Sequence, residues 1–424
     1  MKILYQKRRQ SEQGFALLMT LGVVVILGIT IGSYLLLVSQ EEKTVVRSER
    51  WNTALTMAEA GVEEALAQMN ASPKNFSANG WVVSSGTNYA PNSSVPNRTL
   101  TVGSYTVKIA AATIPTIYST GYASVPGTSQ QVSRSVKVTA QTEPLFSVGL
   151  GSVNSINMNG NGVSSDSWNS HSTNQSNNGL YNGYVGTNGS VASEQGLVNI
   201  GNHTIDGNLY LGPNASYGGS GTVSGTIYTD YNVQFPPPVL PTSDTNGNSI
   251  SWLPATVSGG TNTFTTGGYY FVNNSNPIYV KPGVNVTLHV QTQSFNPSTV
   301  TIGGGTTNSA TLVIYHDPTS PGGSMTLGGN STGGAIGNRP QNFLYFGLPN
   351  VASITLSGTS DFVGAIYAPT ASLTLNGGGH GNNLMGSAIV SQVTLNGHYD
   401  FHYDESLATY GPPRGFIPIT WQEL

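Results

Sequence analysis

The run from Phe15 to Gln40, FALLMTLGVVVILGITIGSYLLLVSQ, holds 26 residues without one charge and constrains this chain more than any other feature. Coiled as a helix it spans about 39 Å, more than the roughly 30 Å of a bilayer's hydrocarbon core. Lys2, Lys7, Arg8 and Arg9 precede it, which favours a cytoplasmic N-terminus and an exported C-terminus. A cleaved secretory signal has an apolar stretch of only about 7–15 residues, ending at a small-x-small site. Here Ile31-Gly32-Ser33 is followed by more leucine. The expectation is a single membrane crossing, and a plain single-pass anchor is its simplest form.

The segment after the apolar run, EEKTVVRSERWNTALTMAEAGVEEALAQMN, contains no Pro, and Gly61 is its one Gly. Leu55, Ala58, Val62, Ala65, Leu66 and Met69 recur at three-and-four spacing, with Glu59, Glu63 and Glu64 largely on other faces. One helix is therefore expected over 15–70, stopping before Ser72-Pro73. Its first half is apolar all round and its second half amphipathic.

A basic leader, then Gly14, then Phe15 opening an apolar helix resembles a type IV prepilin leader. The AEAGVEEAL segment resembles the N-terminal region of PilX-like minor pilins. The resemblance implies that a prepilin peptidase cuts between Gly14 and Phe15, leaving Phe15 as an N-methylated terminus. Residues 1–14 are then the leader. Major pilins usually carry Glu at the fifth mature position, and here that position is Met19. PilX-like minor pilins and tip-located pseudopilins of type II secretion also lack it. The resemblance thus implies a minor or tip component rather than the bulk fibre subunit.

Charge is concentrated at the N-terminal end. Of 15 Lys/Arg and 19 Asp/Glu, 14 lie in residues 1–70, leaving 20 for the other 354 residues. With a net charge of −4 there is no basic surface to argue for nucleic acid. The chain has no cysteine, so an exported domain must be held by packing and backbone ladders without disulfides.

The expected fold class is α+β, mostly β. Residues 71–145 read as a small antiparallel β head of three or four strands, with RTLTVGSYTVKIAAAT as one alternating strand and Pro126-Gly127 as a turn. Residues 146–410 read as repeats. SINMNG (155–160), SMTLGG (324–329), SITLSG (353–358), SLTLNG (372–377) and QVTLNG (392–397) recur, with Leu356, Leu375 and Leu395 spaced by 19 and 20. DGNLYLGP, SGTIYTD, VGAIYAP and MGSAIVS interleave with them, Gly364 and Gly386 being 22 apart. Short strands at such spacing, with Gly and Asn at the corners, predict a β-solenoid with Leu, Ile and Val inside. A β-sandwich is the alternative. The Pro-rich stretch 235–241 reads as a loop within one domain, and 411–424 as a tail. The region also resembles a poorly characterised C-terminal domain found behind PilX-like stalks, its specific motifs lying mostly in 353–407.

No catalytic site emerges, and the chain is not expected to be an enzyme or to hold a cofactor. Solenoid lyases and hydrolases need converging carboxylates and a basic partner. Between 146 and 400 the cations are Lys281 and Arg339, and Asp166, Glu194, Asp206, Asp230, Asp244, Asp317 and Asp361 show no pairable spacing. One polar constellation remains. His398, Asp400, His402 and Asp404 alternate with Tyr399, Phe401 and Tyr403, so a strand would set two imidazoles and two carboxylates on one face. Such a face can hold a divalent metal. The plainer reading is a solenoid end, sealed by the aromatics.

Two classes of function follow. One is a minor pilin-like structural protein, held in the inner membrane and then transferred to a filament through helix contacts with other pilins. The other is a binding module, an adhesin whose head meets surface glycans or cells. A type II secretion pseudopilin is a third.

Overall fold

A computed structural model describes residues 3–424 apart from 72–75, 78–79, 93–97, 159–163, 232–234, 245–247, 305–308, 328–338, 359–360, 378–382 and 398, with side chains from Phe15 onward. The architecture is a long N-terminal helix followed by mostly β structure. The chain divides into two compact units, Met1–Gln141 with Phe416–Leu424, and Thr142–Gly415.

In the first unit, helix α1 runs from Ile3 to Ala71 without a break. From Ala54 onward it has a sheet to pack on. Met57, Ala58, Val62, Ala65, Leu66 and Met69 are buried at three-and-four spacing, against Tyr105, Val107, Ile109, Ile117, Val136 and Val138, while Ala54 is buried with Ala123 and Val132. Helix and sheet approach closely because two glycines allow it. A Cβ on Gly121 would lie 2.0 Å from the Ala54 carbonyl oxygen, and one on Gly61 would lie 2.2 Å from Ser119 Oγ.

The sheet has seven strands, more than the expected three or four. They are β1 (Trp81–Ser85), β2 (Asn88–Pro91), β3 (Arg98–Leu100), β4 (Gly103–Ala110), β5 (Thr116–Ser124), β6 (Gln131–Pro144) and the C-terminal strand Pro413–Glu423. The order is β1-β2-β4-β5-β6-C-terminal strand, with β3 on β4. The stretch expected as one strand from Arg98 is a hairpin. Leu100 pairs with Gly103 around Thr101-Val102, and Arg98 pairs with Tyr105. Apolar alternation continues through such a turn, so period alone did not reveal it. The expected tail is also a strand, seated on β6 at the sheet edge. Pro413 and Pro418 obscured it, because proline in a run argues against a central strand but is tolerated at an edge.

The second unit is a stacked parallel coil. Its main sheet has 18 strands, and every described pairing within it is parallel. That excludes the sandwich, whose sheets are antiparallel. The hexapeptides stack in register. Leu327, Leu356, Leu375, Leu395 and Met158 form one buried ladder, and Met325, Ile354, Leu373, Val393, Ile156 and Val198 another. Thr326, Thr355, Thr374 and Thr394 alternate with them and are half-buried. Asn159, Gly160, Gly328 and Gly329, which close two of the motifs, lie outside the described residues.

The stack is not in sequence order. One ladder reads Leu253, Tyr270, Leu288, Ile314, Tyr345, Ile366, Ala388, Leu150, Val191, Leu209, Ile227. The chain therefore enters in the middle, at Leu150, and climbs to one end at Ile227. It then returns to the far end at Leu253 and climbs back until strand Asn383–Asn396 meets strand Leu150–Met158. Ten steps of about 4.8 Å make the stack roughly 48 Å long.

The return segment is the Pro-rich stretch. It lies over an outward column of Phe271, His289, Tyr315, Phe346, Tyr367, Ile389, Gly151, Ala192, Tyr210 and Tyr228. Buried Phe235 sits where that column is smallest, its ring 3.4 Å from the Cβ position of Gly151. Tyr367 donates its hydroxyl to the Pro236 carbonyl (2.8 Å), and Trp252 packs on Tyr269 and His289. The Pro-rich residues thus form a strap inside one compact unit.

Candidate functional site

Two surfaces come into question, the free half of α1 and the polar strand near residue 400. From Phe15 to Leu37 the apolar side chains of α1 are exposed on every face, Phe15 at 67% and Leu36 at 70%. The helix is long and apolar enough to cross a membrane. Three glycines, Gly22, Gly28 and Gly32, have nothing within 4 Å of their Cβ positions, so nothing within this chain uses them for close packing. Met19 is exposed among these residues. The Gly14–Phe15 junction lies within continuous helix. A collar of Glu41, Glu42, Lys43, Arg47, Glu49 and Arg50 follows the apolar half. At the head, Glu64 accepts from Arg98 (2.6 Å) and from the Tyr105 hydroxyl (2.9 Å), and burial with this hydrogen bond pushes Tyr105 up to about 12.

Strand Asp400–Asp404 carries three of the four residues singled out as metal ligands, and His398 lies outside the described residues. Its polar groups do not converge on a common point. Each reaches across to a segment some 236 residues earlier in the chain. Asp400 Oδ1 accepts from the Ser164 amide (3.0 Å). His402 Nδ1 meets Asp166 Oδ1 at 2.6 Å, and its Nε2 lies 3.2 Å from Asn383 Oδ1. Asp404 Oδ1 accepts from the amides of Ser170 (2.9 Å) and Ser406 (3.1 Å). Glu405 Oε1 accepts from Ser167 Oγ and Asn188 Nδ2. Among the described residues, no three His, Cys, Asp or Glu side chains gather as metal ligands would.

These contacts follow from register. Phe401, His402, Tyr403 and Asp404 lie beside Ser165, Asp166, Ser167 and Trp168 on the adjoining parallel strand. The aromatics face inward, Phe401 and Tyr403 in the core, with the Tyr403 hydroxyl donating to the Phe146 carbonyl. Tyr181 covers the His402 ring at 4.0 Å and stands edge-on to Trp168. Burial raises the Asp166 and Asp404 carboxyls above their ordinary range, opposed at Asp166 by His402 and at Asp404 by its hydrogen bonds from Ser170 and Ser406. Burial likewise raises the Tyr181 hydroxyl. The arrangement is a polar clasp between two turns of the coil.

The remaining acids are dispersed. Glu194 accepts from the Phe235 amide, Asp244 from Asn248, and Asp361 from Asn383, while Asp317 pairs with His289 at 3.0 Å. Asp206 donates its amide to the Ser165 carbonyl, and Asp230 is exposed. Arg339 Nε donates to the Ser170 carbonyl, and Lys281 is exposed. Sequence reasoning missed the partnership of Asp166, Ser170 and Tyr181 with the strand at 400. No spacing signals a contact made across more than 200 residues.

Comparison with known proteins adds little to this geometry. Residues 240–410 match a family model described as a domain of unknown function, DUF7305. No curated protein matches the chain. A solved structure that resembles it is the competence-associated pilin ComZ from Thermus thermophilus. That likeness has 14% identity and a TM-score of 0.24, and it covers 88% of this chain and 96% of that one. At that score the reading rests on the chain's own features.

Proposed function

We propose that the chain is a minor pilin-like component of a type IV pilus or related filament, anchored by α1 and displaying the β-rich units outside the cell. The observation that carries this is the composition of α1. An uncharged, fully exposed half continues without a break into a half whose buried stripe belongs to its own sheet. A plain anchor needs only the first half. One rigid helix that serves both as anchor and as the spine of the head can move from lipid into a helical filament core, where neighbouring helices replace lipid around the same surface.

In this reading the leader basic residues hold the N-terminus in the cytoplasm, and a prepilin peptidase removes residues 1–14. Partners are the peptidase, the inner membrane and then other pilins. The work is structural, with no chemical step and no cofactor. Adhesion to glycans or cells through the second unit is compatible with it, as is a pseudopilin role in secretion.

The test is the mature N-terminus of the protein from its native host, read by mass spectrometry. A peptide beginning at Phe15, methylated, is the expected result. An intact Met1 would leave a membrane-anchored β protein and end the filament reading. Gene deletion then sorts the finer roles: lost piliation supports assembly, lost attachment with normal pili supports adhesion, and lost protein secretion alone supports the pseudopilin.

A further inference from the structure

The coil ends differently at its two true ends and at its internal junction. At the ends the rungs taper to two residues, Ile227–Tyr228 and Leu253–Pro254, and one of these carries proline. Short strands and proline are the usual protection of an open edge. Strand Asn383–Asn396 is the opposite, with 14 residues, no charge and no proline. Ala388, Val393, Leu395 and the neighbouring Phe401 are all fully buried. What covers its outer edge is Leu150–Met158, from a part of the chain outside the family match at 240–410. The matched region begins within the strap and stops just beyond Asp404, so its last rung is closed only by residues that precede it.

We propose that strands Asn383–Asn396 and Asp400–Asp404 form a docking surface and that strands Leu150–Met158, Ser164–Trp168, Val191–Asn199 and Leu209–Gly218 form a separable cap seated on it. The partner this surface fits is a parallel rung with apolar residues two apart and a flanking strand carrying Ser and Asp. Here the chain itself supplies them. Ile156 and Met158 continue the Val393 and Leu395 ladders. Ser387 Oγ donates to the Val148 carbonyl, Gln392 Nε2 donates to Ser155 Oγ, and Asn154 Nδ2 donates to Ser391 Oγ. The clasp of Asp400, His402, Asp404 and Glu405 holds Ser164, Asp166, Ser170 and Ser167 on the adjoining face. The strap is what lets a segment lying before the matched region sit after it in space. From Tyr228 to Leu253 an extended chain reaches roughly 80 Å, ample for a stack of about 48 Å. An uncovered strand of this length and composition is a template for pairing with another chain, so the cap also keeps the coil from self-association.

Hydrogen exchange on the wild type and an Ile156→Asp variant, both as the full-length chain in detergent, test this. In wild-type hydrogen exchange, the amides of 150–158, 191–199 and 209–218 should open as one group, at least about tenfold less protected than those of 353–377. Uniform protection across the coil overturns the proposal. Ile156→Asp should then unseat the cap. Proteolysis should cut within 142–231 while 311–396 stays resistant, and the protein should sediment as larger species than wild type. Because the chain has no cysteine, Ser155→Cys with Gln392→Cys in the same background gives one addressable disulfide, and oxidation should restore the wild-type size. Loss of protection throughout the coil, or release of the cap without association, would overturn the idea.

Discussion

In the sheet over α1, β4, β5 and β6 pair with their sequence neighbours through short turns, antiparallel and in unbroken register. In the coil, strand Asn383–Asn396 is closed by Leu150–Met158, and Ser164 meets Asp400 from 236 positions away. Both regions bury the same kinds of side chain in the same alternation. They differ in what closes them: local hairpins build the first from β1 to β6 and a distant strand, Pro413–Glu423, is added only at its edge, whereas the second stays open in its middle until distant segments meet. Closing a long loop adds entropy cost only slowly with length, yet it must be met before the contacts form. A coil closed in this way has a joint that a hairpin sheet lacks.

The comparison can be broken most sharply by cavities. Leu375→Ala should cost about 2–5 kcal/mol, and Ile109→Ala a similar amount in the other unit, both residues being fully buried. If the units unfold separately, calorimetry will show each substitution lowering its own transition alone. A shared shift would mean that the two regions unfold as one. Backbone constraint comes next. A Cβ at Gly386 would lie 1.9 Å from the Gly364 carbonyl oxygen, at a φ of 141°. Gly386→Ala should therefore destabilise the coil by about 1–3 kcal/mol, measured by denaturant midpoint, and leave the helix-bearing unit unchanged.

The joint itself should respond to pH. Burial raises Asp166 and Asp404 above the ordinary 3.8, so the folded chain holds these protons more tightly than the unfolded one. Their stabilising contribution is complete below about pH 3.8 and is lost as pH rises through the folded values. The groups facing them are His402, Asp206, Asp400 and the Tyr181 hydroxyl for Asp166, and the Ser170 and Ser406 hydroxyls and amides for Asp404. Melting temperatures of the coil should fall over this interval, and Asp404→Asn should flatten the fall. A slope unchanged by that substitution would place the titrating group elsewhere. The smallest effect belongs to the hairpin unit. Arg98→Gln removes an ion pair whose cation is 42% exposed, and solvent screening should hold the loss below about 1 kcal/mol by denaturant melt.

Much of the fold was legible in the residues. The apolar run, the three-and-four stripe of α1 and the hexapeptide spacing each carry a local period, and a local period dictates a buried face whatever surrounds it. Met158, Leu356, Leu375 and Leu395 stack as their motifs require. The hairpin at Thr101-Val102 and the C-terminal strand were hidden, the first because alternation runs through a tight turn and the second behind its prolines. The polar strand at 400 stands out in the sequence by its alternation, but its partners do not. Alternation placed Asp400, His402 and Asp404 on one face, but a face is not a site. Its partners are chosen by register with the neighbouring strand.

The sequence by itself therefore determined the elements: a helix too apolar for water over half its length, strands with defined insides, and corners where glycine is needed. Only the tertiary structure decided their order. It placed the first rung against the last, laid Phe235 over Gly151, and turned four isolated polar residues into a clasp. The physical reason is that periodicity is a property of neighbours along the chain. Which open edge meets which depends on free energy shared between segments hundreds of residues apart, and no short window contains it.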